Sequence, residues 1–95
     1  MVNAPYVWDY NIDRQTFLEI LEGKKRIGRL DREWAVVRLL EYAPYADIIR
    51  LIGFPALVLG WPEWREKVRA KNRRRGFDFL VEWLPRHHPE LLSYG

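Results

Sequence analysis

Cysteine is absent from the 95 residues, which excludes disulfides and thiolate metal sites and permits a reducing compartment. Uncharged polar residues are almost as scarce: one Ser (Ser93), one Thr (Thr16), one Gln and three Asn. The only Ser and Thr lie apart in sequence from His87 and His88, so no nucleophile–base pair of the usual kinds is present. There is no Gly-rich phosphate loop of either common spacing. No apolar run approaches the roughly 18 residues that cross a bilayer; "FPALVLGW" is too short. Asn-Gly hairpin turns and long β-branched alternation are both missing, which argues against sheet. The amino-terminal "MVNAPYVWDYNID" has neither the basic flank nor the apolar centre of a signal peptide, so the expected compartment is the cytoplasm.

What the chain does have is aromatic surface and charge. A chain this short buries only about 60 to 65% of its unfolded surface, so a dense core is needed. Five Trp, five Tyr and four Phe supply it, because aromatic side chains bury the most area each. With 31% charged residues the composition is globular, and one helical domain over 1–95 is expected. Abundant charge with few thermolabile residues fits a heat-adapted source.

Caps and breakers predict five or six short helices, an all-α fold. Asp13 caps a first helix, Arg14 to Glu22, with Phe17, Leu18, Ile20 and Leu21 apolar and Gly23 as its stop. The basic linker "GKKRIGRL" follows. Asp31 caps "REWAVVRLLEYA", which Pro44 closes. Tyr45 to Ile52 forms a third helix ending at Gly53. Pro55 opens the short turn "PALVLG", and Pro62 starts a helix that Gly76 interrupts. "FDFLVEWL" is then the last helix, stopped by Pro85. Residues 1–12 are expected to be extended and 86–95 to form an exposed tail.

The segment "WREKVRAKNRRRG" raises the functional question. At 100° per residue a helix here presents Trp64 and Val68 as a narrow apolar strip. Arg65, Arg69 and Arg73 form one rail beside it, and Lys67, Lys71 and Arg74 form another. Like charges at i,i+4 cost about 0.2–0.5 kcal/mol per pair, and only Glu63–Lys67 and Glu66–Arg69 act the other way. A solvated face is the plain reading, helped by the macrodipole if the cations lie near a helix C-terminus. The other reading is a binding face for an anionic partner, made of Arg65, Lys67, Arg69, Lys71, Arg73 and Arg74. That partner is an acidic protein, or a nucleic acid whose phosphates these six would hold.

The remaining signals are bland. Apolar side chains surround "FDFLVEWL" except where Asp78 and Glu82 lie, so Phe77, Phe79 and Trp83 are expected in the core and not as base-stacking platforms. "DIIRLIGFPALVLGW" has the outline of a helix-turn-helix, but its second helix offers Ala56, Leu57, Val58, Leu59 and Gly60 where base reading needs polar side chains. His87 and His88, adjacent between prolines, have only Glu90 nearby as a further ligand, so no metal or other cofactor is expected. Asp9, Glu41 and Asp47 are not paired by any motif.

The order "VWDYN", then "REWAVVRLLEYAPYADIIRLIGF", then "NRRRGFDFLVEWL" resembles a family of small proteins of uncharacterised activity. They are encoded in bacteria and archaea beside abortive-infection-type nucleotidyltransferase toxins, and are regarded as candidate antitoxins. The shared elements are Trp8-Asp9, Arg38-Leu39-Leu40-Glu41-Tyr42, Ile48-Ile49-Arg50-Leu51 and the aromatic helix after Arg75, together spanning about Val7 to Leu84. The chain departs in its longer basic stretches and in "GFPALVLGWPEW", where the family usually has a plain helix. The resemblance implies a non-enzymatic module that docks on a nucleotidyltransferase-type protein.

Overall fold

The structure, a computed structural model, describes residues 12–92. The expected extended segment therefore lies outside the described residues except for Ile12, as do Trp8, Asp9 and the last three residues of the expected tail. Five α-helices and two 3-10 turns make up the described chain, and no strand occurs among the described residues. The chain divides at Pro44 and Tyr45 into two compact units.

The first unit holds α1 (Arg14–Leu21) and α2 (Arg32–Tyr42). Both begin at the Asp that the sequence nominates. Asp13 Oδ1 accepts from the Thr16 N–H at 2.8 Å, and Asp31 Oδ1 accepts from the Trp34 N–H at 3.0 Å, each satisfying one orphan donor of a first turn. Gly23 follows α1 at φ 79°, a conformation in which a Cβ is strained. Ala43 leaves α2 in extended conformation, because the residue before a proline is sterically pushed out of the helical region. The buried side chains are Phe17, Ile20 and Leu21 of α1 and Ala35, Val36, Leu39 and Leu40 of α2. Phe17 meets Trp34 edge to face at 6.0 Å, a geometry that aromatic quadrupoles favour. Between the helices the linker closes on itself: Ile27 and Leu30 exchange backbone hydrogen bonds around Gly28, at 3.2 and 2.9 Å.

The second unit holds α3 (Tyr45–Leu51), α4 (Phe54–Trp64) and α5 (Lys71–His87), with 3-10 turns at Arg65–Lys67 and Pro89–Leu92. Here the breakers mislead. Pro62 does not open a helix; it lies inside α4, two residues before its end. A proline costs a helix its bond to residue i−4, and the burial of Trp61 at 2% and Trp64 at 7% exposure on either side of Pro62 offsets that loss. Leu57, Trp61, Trp64 and Val68 are all buried at spacings of four, three and four, so one apolar seam continues from α4 into the turn. Gly60 sits under this seam: a Cβ there would overlap the Trp64 ring.

Gly76 does not end a helix either. A glycine inside a helix costs about 1 kcal/mol, less than α5 gains by burying Phe77 and Leu84 on one face. Pro85 falls in the last turn of α5, where few bonds remain to lose. The real interruption is at Val68–Ala70, with Val68 at ψ 111° and Ala70 at ψ 110°, and no glycine or proline marks it. The joint is held from both sides. Val68 is fully buried, and Arg74 forks onto its carbonyl oxygen, Nε at 3.1 Å and Nη2 at 2.8 Å. The expected core assignment of the last helix also needs correcting. Phe77 is buried between Tyr45 (6.1 Å, stacked) and Trp61 (5.2 Å), whereas Phe79 is 65% exposed and Trp83 is half-buried.

Candidate anionic-partner interface

The break at Val68–Ala70 dismantles the two rails expected on one continuous helix. Arg65 and Lys67 lie in the 3-10 turn, Arg69 in the extended joint, and Lys71, Arg73 and Arg74 in the first turns of α5. The six residues stay close along the chain but no longer share two faces of one cylinder.

Their environments differ. Arg65 is committed to this chain: its Nε donates to Asp78 Oδ1 at 2.7 Å and its Nη2 to Oδ2 at 3.1 Å. The guanidinium, through these hydrogen bonds, holds the Asp78 carboxyl below its usual value, assisted by the Trp61 indole. Arg74 is committed to the Val68 carbonyl. Arg73 is half-buried and leans over the Phe77 ring at 5.9 Å. Lys67 is exposed and has an interaction within the chain. Arg69 and Lys71 are exposed and make no side-chain hydrogen bond or ion pair among the described residues, and the same holds for Arg75, which the rails left out.

The electrostatic setting is the reverse of the plain expectation. The macrodipole favours anions at a helix N-terminus by about 0.3–1 kcal/mol and opposes cations there. Lys71, Arg73, Arg74 and Arg75 crowd the N-terminal end of α5, its first turn holds no acidic residue, and Ala70 supplies no side-chain cap. Orphan N–H groups thus coincide with Lys71 and Arg75, which make no side-chain hydrogen bond or ion pair among the described residues, and this raises the positive potential at this end.

Sequence reasoning missed two things here. It paired none of the cations with Asp78, because a partner thirteen residues away is a product of the fold. It also placed Phe79 inside; the signal available was that Phe79 lies one turn after Arg75 and one before Trp83, on the side away from Phe77. At the far end of α5, Trp83 stacks on His87 (4.8 Å, 23°) and meets His88 at 5.0 Å, while His88 Nδ1 lies 3.0 Å from Glu90 Oε1. Residues 86–91 are exposed, and all but His88 lie in helix or 3-10 turn. Among the described residues no group of three or more His, Asp or Glu could hold a metal ion, and no helix is long and apolar enough to cross a membrane. No protein family, curated protein or solved structure matches the chain.

Proposed function

We propose that the chain is a non-enzymatic binding module that docks an acidic protein surface, in the manner of an antitoxin on a nucleotidyltransferase-type partner. One observation carries the reading: Arg69, Lys71 and Arg75 are exposed, have no counter-charge among the described residues, and stand where the α5 dipole opposes them. An acidic partner relieves both the mutual repulsion and the dipole conflict on docking. The resemblance to antitoxin-like proteins names the partner, and the lack of any nucleophile–base pair supports binding over catalysis. Arg65 and Arg74 serve the module's own structure, so the proposed contact set contracts toward Arg69, Lys71 and Arg75. The test is capture from the native host with the tagged protein and with an Arg69→Glu/Lys71→Glu/Arg75→Glu variant. A nucleotidyltransferase recovered by the first and lost by the second is expected; none recovered, or equal recovery by both, overturns the reading.

A second reading is favoured by the exposed Phe79 on the same helix: the cations hold nucleic-acid phosphates. Three phosphate contacts on a duplex give log affinity a slope of about −2.7 against log salt. A flat salt response eliminates it.

A further inference from the structure

Helix α5 has an outward face that its own fold does not use. Phe77 and Leu84 mark the buried side, and at about 100° per residue Phe79 points roughly 150° away from them. Phe79 is 65% exposed, and its ring has no ring or cation contact among the described residues. An exposed phenyl group contributes little to folding, since its apolar area stays in water. Arg75 precedes it by one turn and Arg86 follows by two, about 6 and 10 Å along the axis. Both arginines are exposed and have no ion pair among the described residues. A groove of about 250 Å³ runs along this face, lined by Phe79, Glu82, Trp83, Arg86 and His87. Trp83 stacks on His87 at 4.8 Å, so one wall of the groove is an aromatic plane.

A ring flanked by guanidinium groups on one exposed line matches a chain of alternating planar bases and phosphates, because each base offers a π-face and each phosphate a charge. Bases in a duplex are already stacked and cannot reach Phe79. An acidic protein would satisfy Arg75 and Arg86 but leaves the ring without a role. We propose that this face binds single-stranded nucleic acid, with one base stacked on Phe79 in the groove and the flanking phosphates held by Arg75 and Arg86. The proposal rests on the nucleic-acid reading above, narrows it to unpaired strands, and extends it from Arg75 to Phe79 and Arg86, beyond the 65–75 segment.

The test is fluorescence anisotropy at low salt with a labelled oligothymidylate of about twelve nucleotides, within the range of known single-strand sites, against a duplex of equal length. The full chain should prefer the single strand. Phe79→Ala should weaken that binding roughly 5- to 150-fold with an unchanged circular-dichroism spectrum, and Phe79→Tyr should restore it. Arg75→Gln/Arg86→Gln should make the log–log salt slope shallower by about 1.4. Binding of both strands that is indifferent to Phe79→Ala overturns this proposal and leaves the nucleic-acid reading standing. No binding of either strand removes both. If Phe79→Ala instead abolishes capture of a protein partner while oligothymidylate affinity holds, the face belongs to a protein and the proposal fails.

Discussion

Arg65 grips Asp78 across thirteen residues with two hydrogen bonds, and the same Oδ1 takes a third, from the Trp61 indole N–H at 2.7 Å. One carboxylate thereby ties the end of α4 and the turn after it to the middle of α5. Trp61 is 2% exposed, so its N–H depends on this acceptor.

Asp78→Ala should destabilise the fold by about 1–3 kcal/mol, the cost of leaving a buried donor without a partner. Asp78→Asn keeps an acceptor for Trp61 and should cost less. Urea unfolding of both variants beside the parent measures the difference, and equal losses would mean that the indole bond contributes nothing.

The pH dependence has a definite sign. Asp78 is held below its ordinary value of 3.8 by Arg65 first and Trp61 after it, and Asp13 is held below 3.8 by its hydrogen bonds from Thr16. For depressed carboxylates the stabilisation is complete above the unfolded value and disappears as pH falls through the lower folded value. Thermal midpoints should be level with respect to these two groups above about pH 5 and drop below 3.8. Asp78→Asn should flatten part of that drop. A steeper acid limb in the variant would contradict the assignment.

Two glycines inside helices should respond in opposite directions to the same substitution. Gly76→Ala meets nothing within 4 Å and should stabilise by about 1 kcal/mol through helix propensity. Gly60→Ala overlaps the Trp64 ring, which at 7% exposure has little room to swing, and overpacking of this kind costs about 1–3 kcal/mol. Melting temperatures of the two variants should therefore fall on either side of the parent.

The two phenylalanines of α5 two residues apart should differ as sharply. Phe77→Ala empties a site between Tyr45 and Trp61 and should cost about 3–5 kcal/mol. Phe79→Ala should fall within about 0.5 kcal/mol of the parent, as surface changes do. Denaturant midpoints check both.

The helix starts at Asp13 and Asp31, the stops at Gly23 and Gly53 and the apolar face of α1 were legible, because capping and amphipathic spacing act within one or two turns. The second unit was less so. Pro62, Gly76 and Pro85 read as breaks, yet helix runs through all three; buried Trp and Phe side chains override a local preference worth one to about three kcal/mol. Conversely, the joint at Val68–Ala70 carries no local breaker, and what holds it is Arg74 reaching back six residues. The cationic character of 65–75 was visible in composition. Which cations remain available was not, since Asp78 and the Val68 carbonyl are brought to Arg65 and Arg74 only by the fold.

Val68 and the Arg74 fork also decide where a protease can enter. The 65–75 segment has seven Lys and Arg residues, more targets for trypsin than any comparable stretch, but cleavage requires a loose strand, and here the joint is pinned at Val68 and Lys71 onward is helix. The loop at Lys24, Lys25, Arg26 and Arg29, exposed throughout, should be nicked first. The richest run of cleavage sites in the chain should thus outlast that loop, and its survival time reports how firmly a single arginine clasps one carbonyl.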